Sequence, residues 1–78
     1  MVTYQQLKKQ AEDCYQQAEV FSAEEKVAER ILMLLEAGHN VESTYSCLQH
    51  DLQYLLLEGD EVRAGVTRAF IEFIHGEL

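Results

Sequence analysis

Proline is absent from this chain of 78 residues, and cysteine is scarce, with only Cys14 and Cys47 far apart in sequence. Without proline, no helix has to be broken by a missing amide donor. Two cysteines are too few for a disulfide scaffold and lack the paired spacing of a zinc knuckle. Each sits on or beside an apolar helical stripe, where a free thiol behaves as a small hydrophobe. Long hydrophobic runs are missing too. The longest, Ile31 to Leu35, is five residues, against the roughly 20 that a membrane-crossing helix needs. The opening Met1-Val2-Thr3-Tyr4-Gln5-Gln6 carries neither the basic flank nor the apolar centre of a secretory signal. These absences set the expectation of a cytoplasmic protein with reduced thiols, no membrane contact and no cofactor.

Positive charge is the next scarcity. Six Lys and Arg face 14 Asp and Glu, for a formal net charge of −8. Between Arg30 and Arg63 there is no Lys or Arg at all, while Glu36, Glu42, Asp51, Glu58, Asp60 and Glu61 lie inside that interval. Direct nucleic-acid binding through this half is excluded on charge, because phosphate contacts need cations. A protein partner with a basic surface is the natural counterpart. The competing explanation is a solvated acidic face that keeps a small protein soluble.

What is present is helical periodicity. Hydrophobic residues make up 47%, enough for a globular chain. At this length one domain spanning 1–78 is expected, burying only about 60% of the surface of its unfolded chain. A first helix is predicted to start after Thr3, with Gln6 completing a capping box, and Leu7, Ala11, Cys14, Ala18 and Phe21 as its apolar stripe. Tyr4 and Tyr15 lie on the same side. Ser22 and Glu25 give a second capping signal, marking either a new helix from Ala23 or a bend in one long helix. Val27, Ala28, Ile31, Leu34 and Leu35 follow as its buried face, and Gly38 is the stop. Asn40 caps a third helix with Val41, Tyr45, Leu48, Leu52, Leu55 and Leu56 on one side, ended by Gly59. Asp60 caps a fourth, with Val62, Val66, Ala69, Phe70, Phe73 and Ile74 facing inward. The expected fold is therefore all-α, a compact bundle of three to four short antiparallel helices.

Functional candidates are the residues these stripes leave over. At 100° per residue, Cys47, His50, Tyr54 and Leu57 fall on a second side of the third helix. A helix apolar on two sides is expected to sit centrally, touching others with both. The alternative is that it offers the second side to a partner or to a second copy of the chain. Met33 and Ile71 also point away from their stripes, and aromatics and Met are enriched at contact sites. The candidate partner-binding set is Met33, His50, Tyr54, Leu57, Glu58, Asp60 and Glu61.

Catalytic chemistry has little foothold. Cys47-x-x-His50, with Asp51 or His39 nearby, is the best metal-like grouping, but a structural zinc site wants four ligands and no second pair is visible. Ser43, Ser46 and Cys47 lie near His39 and His50 in sequence without forming an ordered nucleophile and base. Glu24-Glu25 and Asp60-Glu61 sit at helix starts, where acids stabilise the macrodipole. No catalytic, metal or cofactor residue is assigned.

In size, acidity and helix number the chain is similar to acyl carrier proteins, and Gly65-Val66-Thr67-Arg68-Ala69-Phe70-Ile71-Glu72-Phe73-Ile74 resembles their last helix. The family's attachment serine follows an Asp and precedes a Leu. No Asp-Ser-Leu occurs here, and Ser43, the nearest candidate, is flanked by Glu42 and Thr44. The resemblance implies a helical fold and no carrier role.

The expected function is a non-enzymatic interaction protein, an adaptor or inhibitor docking on a larger protein, of the kind common among phage and mobile-element products by size and charge alone. Two alternatives are a nucleic-acid mimic acting through the acidic half and a secretion-type chaperone or subunit working as a heterodimer.

Overall fold

Every helix of this protein starts at a small polar residue whose side chain accepts a hydrogen bond from the amide three residues on. In the computed structural model, which describes residues 1–76, Thr3 accepts from Gln6, Ser22 from Glu25, Asn40 from Ser43 and Asp60 from Arg63. Each such cap stabilises its helix by about 1 kcal/mol. They open α1 (Tyr4–Gln17), α2 (Ala23–Glu36), α3 (Val41–Glu58) and α4 (Glu61–His75). Ser22 thus separates two helices rather than bending one.

The capping details differ from the simple pattern in two places. At α2 the Glu25 carboxylate does not return to Ser22; it accepts instead from the Phe21 amide at 2.7 Å. At α3 the reciprocal partner of Asn40 is Ser43, whose hydroxyl accepts from the Asn40 amide at 3.1 Å.

The stops follow from backbone geometry. Beyond α2, Gly38 takes φ +103°, and its amide and that of His39 donate back to Leu35 and Leu34. Beyond α3, Gly59 takes φ +78°, with Asp60 N–H donating to the Leu55 carbonyl at 2.9 Å. This is the left-handed helix ending that glycine adopts without a Cβ penalty. The α1–α2 turn has no glycine. There Phe21 itself takes φ +67°, a conformation costing an ordinary residue about 1–2 kcal/mol. The Glu25 bond and the Lys26 ammonium, 5.7 Å from the Phe21 ring centroid, hold it.

Packing divides the chain into two helical hairpins, α1 with α2 and α3 with α4, and joins them mainly through α2 against α4. Helices linked by turns this short and packed along one another run antiparallel, so the all-α antiparallel bundle is the architecture of the chain. α2 is the central element: Val27, Ala28, Ile31, Leu34 and Leu35 are all buried, as the sequence pattern predicts. Val27, Ile31 and Leu35 meet Leu7 and Ala11 of α1, Leu48 of α3, and Phe70 and Ile74 of α4 in one cluster. The amide of Val2 adds a bond to the Ile74 carbonyl at 3.0 Å, tying the start of the chain to the end of α4.

Three sequence expectations are corrected. Phe21 is not part of the α1 stripe; it lies beyond the helix and is 79% exposed. α3 is not central: its only buried residues are Thr44 and Leu48, because α2 and α3 touch sparingly despite their short connection. On α4 the buried line is Ala64, Thr67, Phe70 and Ile74, leaving Val62 and Ala69 exposed, while Ile71 packs half-buried against the core. Small Ala64 and Thr67 face inward in place of the larger apolar residues, which allows helices to approach closely. Threonine is polar enough to hide that line from a hydropathy pattern.

Candidate functional site

Two helices that diverge from a common turn expose whatever side chains would have filled the space between them. On α2, Lys26, Arg30 and Met33 repeat at spacings of four and three, which puts them on one side. On α3, Cys47, Asp51 and Tyr54 do the same, with His50 and Leu57 beside them. Of these, Lys26, Arg30, Asp51 and Tyr54 border the loosely packed α2–α3 seam. One bidentate ion pair bridges it, Arg30 Nε and Nη2 donating to the two carboxylate oxygens of Asp51 at 2.8 and 3.2 Å. That bond holds Arg30 more firmly protonated than usual, outweighing the opposite effect of its partial burial. Both side chains are partly exposed, so the pair contributes about 1 kcal/mol at most.

Nearer the α3–α4 turn the seam deepens into a cleft of about 200 Å³ between α2, α3 and α4. Its floor is Val27, Leu48, Leu55 and Thr67, and its rim is Lys26, Arg30, Asp51, Tyr54 and Arg63. Three of the chain's six Lys and Arg residues therefore converge on a single cleft of a strongly acidic protein. Arg63 donates from Nε to Asp60 at 2.7 Å. Asp60 is held below the usual carboxylate range, first by the Arg63 amide and then by the Arg63 side chain.

The sequence-derived candidates fall unevenly around this seam. Met33 is 61% exposed, Tyr54 63% and Leu57 88%, and none is used by the core. His50 is exposed and lines a shallow polar hollow with Ser46, Gln49 and Gln53. Glu58 and Glu61 are exposed on either side of the α3–α4 turn. Asp60 is half-buried and already engaged as the α4 cap and as the partner of Arg63. Lys26, Arg30 and Arg63 were missed by sequence reasoning, which saw Arg30 and Arg63 only as the edges of an interval without Lys or Arg and did not single out Lys26. Their convergence depends on the α2–α4 packing, which no local pattern encodes.

A second opening, between α1 and α4, was also missed. Cys14, Val62, Val66, Ala69, Phe70 and Phe73 line an apolar cleft of about 480 Å³. The exposed Val62 and Ala69, expected inside, stand at its edge. Cys14 donates weakly from Sγ to the Glu24 carbonyl at 3.7 Å. Burial, followed by the nearby Glu24 charge, raises its pKa, which makes it a poor nucleophile.

Chemistry is sparse elsewhere. His39 Nδ1 lies 3.0 Å from Ser43 Oγ, but that hydroxyl serves the α3 capping box and sits in no cleft. Among the described residues no three His, Cys, Asp or Glu converge as metal ligands, and no helix is long and apolar enough to cross a membrane. The chain matches no family model, and it has no significant match among curated proteins or solved structures.

Proposed function

We propose that this chain is a non-enzymatic interaction protein, an adaptor or inhibitor that docks on a larger protein through the outer side of α3 and the α2–α3 seam. The observation that carries this reading is the exposure of Tyr54 and Leu57 on α3, a helix whose other apolar side already serves the fold, with Met33 likewise exposed on α2. Aromatic and Met side chains at such positions are the usual anchors of protein contacts. The exposed Glu58 and Glu61, on either side of the α3–α4 turn, would meet basic residues at the rim of the partner, where charge sets approach and register more than affinity.

A nucleic-acid mimic has weaker support. Of the six acids in the interval without Lys or Arg, Asp51 and Asp60 are paired with Arg30 and Arg63, which leaves Glu36, Glu42, Glu58 and Glu61.

The test is comparative capture. Tagged wild-type chain and the Tyr54→Ala/Leu57→Ala variant are incubated with lysate of the source cells at about 0.15 M and about 0.5 M salt. A protein retained by the wild type at both salt levels and lost from the variant supports the reading. Equal recovery by both chains contradicts it. Recovery that vanishes at high salt favours the mimic.

A further inference from the structure

The charge of the cleft is opposite to that of the chain around it. Lys26, Arg30 and Arg63 bring three positive charges to its rim; Asp51 at the rim pairs with Arg30, and Asp60, outside the lining, pairs with Arg63, which leaves one positive charge unmatched in a chain of net charge −8. The unmatched cation is Lys26. Among the described residues its ammonium forms no ion pair, and it lies over the Phe21 ring, 5.7 Å from the centroid. That contact leaves the donors of the ammonium directed away from the ring for another group. The bond from the Phe21 amide to Glu25 holds the backbone that carries the ring, and the ring lies within cation–π reach of the ammonium.

Size narrows what the cleft accepts. About 200 Å³ corresponds to roughly seven waters at about 30 Å³ each, and small-molecule sites start near 300 Å³. One large side chain fits on the Val27, Leu48 and Leu55 floor, with the Tyr54 ring as a wall. We infer that this cleft is an anchor pocket for an acidic-apolar element of the partner protein: one large apolar side chain seated on the floor, with an adjacent carboxylate meeting Lys26. This rests on the docking reading above and refines it. The partner's rim is basic, yet its central anchor carries a negative charge. An interface in which the core charge has the opposite sign to the rim excludes partners that match only in net charge.

The test uses the full chain, labelled with ¹⁵N, titrated with N-acetyl-phenylalanine and separately with its neutral amide. Amide shifts are expected at Val27, Arg30, Leu48, Tyr54, Leu55 and Thr67, with affinity in the millimolar range. The acid should bind about two- to fivefold more tightly than the amide, as a partly exposed charge contact allows, and the preference should shrink at high salt. Lys26→Gln, on an exposed side chain, should abolish the preference and keep the binding of the amide. Equal affinity for acid and amide overturns the inference. So do shifts confined to Val66, Ala69 and Phe73 of the other cleft, or no shift up to about 20 mM, weaker than any useful anchor. If the titration fails while the Tyr54/Leu57 variant still loses its captured protein, the pocket is wrong and the docking face stands.

Discussion

α2 and α3 begin from similar sequence and end in different roles. Both are capped helices carrying several Leu or Ile residues, and they are joined by a turn of only four residues between Glu36 and Val41. α2 buries five apolar residues because it lies between α1 and α4. α3 has one real neighbour, α4, and buries only Leu48 and Thr44. Apolar content therefore does not decide which helix forms the core. The number of packed neighbours does, and the helix with fewer neighbours has apolar surface left for recognition.

The contrast can be broken most forcefully at its centre. Ile31→Ala, at a fully buried α2 position in the main cluster, is expected to destabilise by about 2–5 kcal/mol, read from urea unfolding. A loss under 1 kcal/mol would mean that α2 is not the organising helix.

The end of α3 comes next. Gly59→Ala places a Cβ on a residue at φ +78°, and is expected to cost about 1–2 kcal/mol although no neighbour lies in its way. An unchanged urea midpoint would show that this turn relaxes freely and does not fix the path from α3 to α4.

Thr44→Val works in the opposite direction. The Thr44 hydroxyl is buried and makes no hydrogen bond, so a side chain of the same shape should stabilise the fold by about 1 kcal/mol. A destabilised variant would show that the hydroxyl has a role in holding α3 against its neighbour.

A smaller effect concerns acid. The Asp60 carboxyl titrates below its ordinary value of 3.8 when folded. Its contribution to stability is therefore complete above that value and is lost as pH falls through the lower folded value. Unfolding midpoints followed from about pH 5 to about pH 2 should fall less steeply in Asp60→Asn than in the wild type. Identical slopes would detach the α4 cap from acid sensitivity.

The smallest expected stability effect is at the surface assigned to recognition. Tyr54→Ala and Leu57→Ala should each change stability by less than about 0.5 kcal/mol, since both side chains are largely exposed. A loss comparable with that at Ile31 would assign α3 to the core after all.

Much of the fold was legible because its signals are local. Thr3, Ser22, Asn40 and Asp60 each cap a helix within three residues, and the 3.6-residue repeat of α2 marks its buried side directly. What depended on neighbours was not legible. Whether Leu56, 48% exposed, or Ala64, 1% exposed, faces the interior follows from how α3 and α4 are each rotated against the helices they pack on. The position of Phe21 required knowing that α1 stops at Gln17 without a glycine. The seam residues Tyr54 and Leu57 could be singled out as surplus on a helical wheel. The cleft beside them could not, because Lys26, Arg30 and Arg63 meet only through tertiary packing.

The most direct test of the central claim is site-specific photo-crosslinking in the source cells, with a benzophenone amino acid placed at Leu57 and, as a control, at Gln16, exposed on α1. A discrete protein adduct from position 57 and none from position 16 is the predicted result. Adducts of equal yield from both positions, or none from position 57 while the protein remains folded, would contradict the assignment of the outer side of α3 to a partner.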